Sequence, residues 1–316
     1  MFDFLVKGLA ELGHEVLYYL EFGSTVLDKY SLPDNVTLVD RLVFDADVYH
    51  LRSDCELWRK LEERNLHWVA TCHTDLEIHG KSRKCARRNW IYVSKSLAAT
   101  YNSRRFVHNG VDPAEFQFRE VKENYLLFVS ALPLALRKGL DIAIATAQAS
   151  GTKLYVAGSA DNKELVNQIQ NRCCVPGVKY LGEIYGQKKA EIFAGARALI
   201  FPTQINESFG LVVVEALISG TPVICSANGA CPELVSEEVG FICKNTKDYI
   251  DAVKRIHEIA HSTCRDKAMR CYHYLRMASQ YLKEYEFEIQ LTATSTMTEK
   301  IYDRQTPGHS GIKLKV

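Results

Sequence analysis

The sequence carries no excess of charge of either sign: 39 lysines and arginines meet 38 aspartates and glutamates, for a net charge of +1. Phosphate-binding proteins of the nucleic-acid class are strongly basic, so this balance excludes nucleic acid as the main partner. No apolar run approaches the ~18 residues of a membrane-spanning helix. The opening stretch, MFDFLVKGLAELGHEV, lacks the charged start, continuous apolar core and small-residue cleavage site of a secretory signal, and a cytoplasmic location is expected. None of the ten cysteines falls in a C-x2-C pair: Cys173 and Cys174 are adjacent, and Cys225 and Cys231 are six apart. A structural zinc site needs such pairs, so no metal is expected. Cys72 in WVATCHT and Cys225 in PVICSA sit inside apolar runs, as buried thiols do in a reducing compartment. No strand is followed by G-x-G-x-x-G, which counts against a nicotinamide-dependent dehydrogenase.

What is present is ample apolar material, 47% of the chain, arranged as short runs that alternate with helical periods. Phe4, Leu5, Leu9 and Leu12 fall at helical spacing; Gly13 then ends the helix, and Glu15 to Leu20 reads as a strand. The chain thus opens on a helix that leads into a strand, with no strand before it. Further strands are expected at 36–39, 46–51, 68–72 and 90–93. The turn cluster His108-Asn109-Gly110-Val111-Asp112-Pro113 marks a junction. Beyond it, strands at 125–129, 153–158, 178–182, 198–202 and 222–225 alternate with helices at 140–148, 161–171, 188–195 and 209–219. A short strand follows at 240–243. Continuous apolar strands separated by helices imply parallel sheets covered on both faces. The fold class is α/β, with doubly wound, Rossmann-like domains. Two terminal helices are expected at 246–261 and 265–285, and a disordered polar tail at 303–316.

The chemistry concentrates in FPTQINESFGLVVVEALISGTPVICSANGACPELV, residues 201–235, where Glu207 and Glu215 stand eight positions apart. On one helix eight residues turn about 800°, leaving the two roughly 80° apart. The turn-formers Asn206 and Gly210 instead place Glu207 in a loop and Glu215 in the helix, both able to address a ligand over the helix N-terminus. Such an end presents unpaired N–H groups and a partial positive charge, which suits a pyrophosphate. The dipole contributes at most about 2 kcal/mol, so a cation is needed as well. Lys138, in LRKGLD after the first strand of this half, is the candidate, with Arg137 beside it.

This segment resembles the E-x7-E signature of glycosyltransferase family 4, whose members have the GT-B fold. Further blocks resemble that family in the same order: VATCHTDL (69–76), YVSKSLAATY (92–101), HNGVDPAEF (108–116), RKGLDIAI (137–144), KLYVAGSADNKEL, VKYLGEIYGQKKAEIFAGARALIFPT and GACPELV (229–235). The resemblance implies two Rossmann-like domains facing across a cleft. The N-terminal, acceptor-side domain would span 1–110 plus a returning helix at about 280–300, and lack its usual first strand. The nucleotide-sugar domain would span 111–279. It implies a retaining transferase of the hexosyltransferase type. A nucleoside-diphosphate sugar would be the co-substrate, and no metal or other cofactor is implied. Glu215 would bind the ribose hydroxyls and Glu207 the transferred sugar. Ser208, Phe209, Gly210 and Leu211 would line the sugar and phosphate, Lys138 would neutralise the diphosphate, and His73 would face the sugar. Arg137 and Glu233 are further donor-binding candidates. The acceptor, a sugar, lipid or small molecule, is not specified.

Two departures from the family pattern stand out. The strand and Gly-rich loop that precede the first helix in the family do not precede it here, and Ser130-Ala131 stands where the family carries Gly-Arg. They leave a catalytically impaired nucleotide-sugar-binding protein as the alternative reading. A glycoside hydrolase is disfavoured, since it needs a protonated acid opposite a second carboxylate, and a helix N-terminus favours the charged form. Finally, Lys81, Arg83, Lys84, Arg87 and Arg88 pack five cations into eight residues. They form either a solvated helical face or a weak contact for an acceptor or an anionic membrane surface.

Overall fold

The computed structural model describes residues 2–19 and 32–299 together with the strand Lys313–Lys315; the side chains of 79, 292–299 and 313–315 fall outside that description. The chain divides into two units, one formed by 1–110 and 274–316, the other by 111–273.

Unit 1 begins with α1 (Phe2–Glu11), which buries Leu5, Val6 and Leu9, and Gly13 ends it with φ +89°. The strands β1 (Glu15–Tyr19), β2 (Val36–Val39) and β3 (Val48–Arg52) follow, then α2 (Trp58–Glu62), β4 (Trp68–Cys72), β5 (Trp90–Tyr92) and α3 (Lys95–Thr100). Ser94 caps α3 by accepting a hydrogen bond from the Leu97 N–H, which satisfies one of the orphan donors of the first turn.

Unit 2 then runs uninterrupted: β6 (Tyr125–Val129), α4 (Leu140–Ser150), β7 (Lys153–Ala157), α5 (Lys163–Arg172), β8 (Val178–Tyr180), α6 (Gly186–Gly195), β9 (Ala198–Phe201), α7 (Leu211–Ile218), β10 (Val223–Ser226), α8 (Cys231–Leu234), β11 (Gly240–Cys243), α9 (Thr246–Arg255) and α10 (His261–Tyr272). Its six strands are all parallel, in the order β11-β10-β9-β6-β7-β8. Every residue of β9 and β10 is buried, as expected of central strands covered on both faces. From β6 the winding goes outward through β7 and β8, then returns to β9 and goes the other way. The switch point therefore lies between β6 and β9, and ligands of such sheets bind outside the strands' carboxyl ends there.

The chain returns to unit 1 as α11 (Tyr274–Glu299) and β12 (Lys313–Lys315). The sequence reading draws one helix over 265–285 and the return at about 280. Instead the helix breaks at His273, whose φ and ψ of −72° and 139° are extended, and α11 belongs whole to unit 1. The backbone at the break is held locally: the Val111 N–H donates to the Tyr272 carbonyl at 2.9 Å. A second correction concerns the expected disordered tail. Residues 300–312 lie outside the described residues, but Lys313–Lys315 form a strand. It occupies the centre of a six-stranded parallel sheet, β2-β1-β12-β3-β4-β5. The strand between β1 and β3 is thus supplied by a segment that follows α11.

The core of unit 1 gathers Leu5, Leu9, Val16, Val48, Val69 and Ile91 around Met277, Tyr281 and Tyr285 of α11. A buried polar chain crosses it. His50 Nδ1 lies 2.6 Å from the Tyr285 hydroxyl, His50 Nε2 lies 2.6 Å from Thr71 Oγ1, and Thr71 Oγ1 lies 2.6 Å from the Tyr281 hydroxyl. Neutral imidazole has one donor and one acceptor, and hydroxyls rotate to suit either, so every member is satisfied. Glu288 of α11, only 2% exposed, receives Arg88 and Arg105; an unpartnered carboxylate at such a place would be costly.

Candidate active site

The loops after β6 and β9 meet at the switch point of unit 2. Gly139 has φ +87°, and a Cβ there would lie 2.2 Å from the Pro202 carbonyl oxygen. Only glycine tolerates both the left-handed backbone and that approach. The contact brings Lys138 from one loop against Glu207 from the other, and the two form an ion pair between Nζ and Oε2. The pair is largely enclosed, its side chains 13% and 10% exposed. Glu207 is fixed from a second side: the Ala230 N–H donates to its carbonyl at 2.8 Å, and a Cβ on Gly229 would meet its amide nitrogen at 2.2 Å. The turn 229–235 thus holds the Glu207 loop from behind.

Three positions on, the chain enters α7 through Gly210, with φ +94°, and no side chain caps the helix. The Val213 N–H already donates to the Gly210 carbonyl at 2.9 Å; the earlier N–H groups of such a start can receive an anion. Glu215 lies inside α7, and Lys189 of α6 donates to its Oε1 at 2.7 Å. The loop-and-helix division of the two glutamates is therefore what the structure shows, and each carboxylate holds its own ammonium.

The remaining candidates divide. The Phe209 side chain is buried, its ring edge-on to Tyr272 at 6.2 Å, so only its backbone can address a ligand. Ser208 and Leu211 are half-buried beside it. Arg137 is exposed; its carbonyl accepts from the Gln204 N–H at 2.9 Å, which ties the two loops together. Glu233 is half-buried in α8. Ser130, at the position of the family's glycine, turns its hydroxyl to the Ala131 carbonyl at 3.0 Å.

His73 belongs to unit 1. It follows β4 and lines a small pocket with Phe2, Leu5, Thr71, Asn109, Met277 and Tyr281. Burial, with the positive charge of Arg52 nearby, pushes its pKa down to about 4, so it enters the pocket as neutral imidazole. Behind it, His50 is pushed down to about 3 by burial.

The five-cation run is not a helical face. It forms a short 3-10 turn at Arg83–Cys85, and three of its charges are used internally. Arg83 pairs with Asp75 and Glu77, Arg87 lies 3.3 Å from the centre of the Trp58 ring, and Arg88 pairs with Glu288 at 2.7 Å. Lys81 and Lys84 alone of the five have no ion pair or ring contact among the described residues. Among those residues, too, no cluster of three or more His, Cys, Asp or Glu could hold a metal, and no helix is long and apolar enough to cross a membrane.

Sequence reasoning missed Lys189. A signal was there: Lys188 and Lys189 lie at the third and fourth positions of α6, where the helix dipole disfavours cations. A lysine placed against its local preference points to a partner elsewhere.

Comparison with known proteins bears on this geometry. An uncharacterized glycosyltransferase of Methanocaldococcus jannaschii is 28% identical over 183 residues, covering 48% of this chain and 45% of that protein. The chain spans less than half the length of the first curated relatives it matches. Among solved structures, AviGT4, a glycosyltransferase involved in avilamycin A biosynthesis, superposes with a TM-score of 0.71 at 24% identity, over 92% of this chain and 88% of that one. HepE of Anabaena, solved with UDP and glucose, gives 0.65 at 17% identity, over 85% and 98%. These likenesses establish the GT-B fold. Residues 112–276, just over half of the 316, match the glycosyl transferases group 1 family, and the chain belongs to that family.

Proposed function

We propose that this protein transfers a hexose, with retention of anomeric configuration, from a nucleoside-diphosphate sugar to a sugar, lipid or small-molecule acceptor. The observation that carries this reading is the Lys138–Glu207 pair, enclosed at the switch point of unit 2 and next to the uncapped start of α7. When the sugar–phosphate bond breaks, negative charge grows on the leaving diphosphate. Fixed cations and N–H dipoles stabilise that charge without having to reorganise. Lys138 supplies the cation, and the Gly210–Leu211 backbone supplies the dipoles. Glu207, already holding Lys138, keeps the ammonium in place before the ligand arrives and offers its carboxylate to the hydroxyls of the transferred sugar. Glu215 takes the ribose hydroxyls, with Lys189 orienting it. Ser208 and the Phe209 backbone flank the diphosphate, while Arg137 and Glu233 stand at the rim. His73, a neutral donor or acceptor, contributes to the transferred sugar. The reading needs no metal, because the charge falls on protein groups.

The E-x7-E resemblance supports retention of configuration, and HepE, crystallised with UDP and glucose, supports a nucleotide sugar as donor. All ten cysteines are unpaired, which suits a cytoplasmic location. Contact with anionic lipid is left to Lys81 and Lys84, at about 1 kcal/mol each; sedimentation with and without anionic vesicles measures it.

The test is a thermal-shift and transfer screen with the labelled sugars of UDP, GDP and ADP. Ligand at a hundredfold excess over Kd stabilises by about 2.7 kcal/mol, so the correct nucleotide gives a clear shift, and its sugar is transferred or slowly hydrolysed. A shift without any sugar release supports the impaired alternative. No shift with any of them overturns the donor assignment.

A further inference from the structure

In unit 2 the chain leaves β8 and β9 to start α6 and α7, and the last turns of those helices lead into β9 and β10. The candidate site therefore lies at the helix starts, and the last turns meet on the opposite side of the sheet. Lys122 stands there, three residues before β6. The last carbonyls of a helix have no partner within it. Those of α6 are met one by one from outside. The Tyr125 hydroxyl donates to Ile192 at 2.7 Å, Thr221 Oγ1 to Phe193 at 2.6 Å, Lys122 Nζ to Ala194 at 2.8 Å and the Glu123 N–H to Gly195 at 2.8 Å. Beyond α7, Lys122 Nζ also donates to the Ser219 carbonyl at 3.0 Å and to Thr221 Oγ1 at 3.2 Å. The Thr221 N–H donates to the Ala216 carbonyl of α7 at 2.8 Å. Lys122 and Thr221 thus each hold both helices. An ammonium has three donors, and these three oxygens take all of them. Burial pushes the Lys122 pKa down to about 8. A cation is kept there against the cost of leaving water, where both helix dipoles are negative.

We propose that Lys122, with Thr221, is a positioning residue for the donor site: it clamps the ends of α6 and α7 together so that Lys189 reaches Glu215. This rests on the reading that Glu215 takes the ribose. Lys189 lies six residues before the last of α6, and Glu215 three before the last of α7. At 1.5 Å per residue those are rigid arms of about 9 and about 5 Å. A slip at the clamp is carried along them to the 2.7 Å bond between Lys189 and Glu215, which a shift of about 1 Å breaks.

Donor kinetics of four proteins test it: the parent, Lys122→Met, Lys189→Met and the double variant. Lys122→Met keeps most of the side chain's length and deletes its three donors. KM for the nucleotide sugar should rise roughly fivefold, the value of one lost hydrogen bond, with kcat little changed. Because Lys122 acts through the Lys189–Glu215 pair, the double variant should match Lys189→Met within about twofold. An unchanged KM in Lys122→Met overturns the proposal. So do effects that multiply to roughly twenty-five-fold in the double variant, as two independent losses would. Should Lys122→Met fail to fold, Thr221→Val, which deletes the hydroxyl link to Phe193 and Lys122, takes its place in the same cycle. Failure of the donor assignment looks different: the parent then binds no nucleotide sugar, and hydrogen exchange decides. Amides at 191–195 and 216–219 should exchange at least about tenfold faster in Lys122→Met, with 199–200 unchanged, and rates equal to the parent's overturn the clamp.

Discussion

The two units share a plan, six parallel strands wound both ways from a switch point, but they differ in what they bury. Unit 2 has an almost wholly apolar sheet, with Lys138 meeting Glu207 in the loops at its carboxyl ends. Unit 1 carries polar groups through its interior: His50, Thr71, Tyr281 and Tyr285 in one chain, and Glu288 with Arg105 in another. Apolar cores are indifferent to pH, whereas buried titratable groups are not. The comparison teaches that one architecture can carry both an apolar sheet and a half whose stability depends on pH.

The largest effect that sharpens this contrast is at the site itself. Lys138→Ala removes one preorganised cation, worth about 2.7–4 kcal/mol in comparable settings, so turnover should fall at least roughly a hundredfold. Exchange protection in unit 1 should be unaltered. Near-normal turnover would remove Lys138 from the mechanism.

Next in size is the loop contact. Gly139→Ala puts a Cβ into the Pro202 carbonyl and forces a left-handed alanine, at about 1–3 kcal/mol. Because the strain separates the loops that join Lys138 to Glu207, activity should drop with it. A variant as active and as stable as the parent would mean that the loops do not need this approach.

Acid should act on the other half. His50 titrates near 6.5 when unfolded and near 3 in the fold, so between those values the unfolded chain binds a proton that the native state refuses. The penalty starts as pH falls through 6.5 and saturates below 3, at about 1.4 kcal/mol per pH unit. At pH 5 that is about 2 kcal/mol, and His73, pushed down to about 4, adds in the same direction. Denaturant-dependent exchange at pH 7 and pH 5 should show unit 1 weakening more than unit 2. In His50→Gln the slope should flatten, and equal slopes in parent and variant would assign the pH response elsewhere.

The smallest effect concerns Lys189. Losing one hydrogen bond to Glu215 is worth about 1 kcal/mol, or roughly a fivefold rise in KM for the nucleotide sugar. Lys189→Met should show it with kcat little changed, and Lys189→Arg should recover most of it. A kcat effect instead would place Lys189 nearer the reacting atoms than Glu215 suggests.

How much of this was legible in the sequence follows the same division. Unit 2 is continuous, so its strand-helix alternation is local, and the apolar runs read directly as buried strands. The loop position of Glu207 and the helix position of Glu215 are legible because turn-formers and a helix start are local signals. Lys189 and the Gly139–Pro202 approach depend on which strands end side by side, and only the winding order reveals that. In unit 1, the five-cation run looked like an exposed face because its partners Asp75, Trp58 and Glu288 are up to 200 residues away. The helix break at His273 has no proline or glycine to announce it. The segment IKLKV was too short and too isolated among polar residues to be recognised as the middle of a sheet.

That placement also sets an order of events during synthesis. All of unit 2 emerges from the ribosome between the first and last pieces of unit 1. At 5–20 residues per second, roughly 10–40 s separate Gly110 from Lys315. Within that interval unit 2 can form on its own, while the early strands of unit 1 wait for Met277, Tyr281 and Tyr285 of α11 to complete their core.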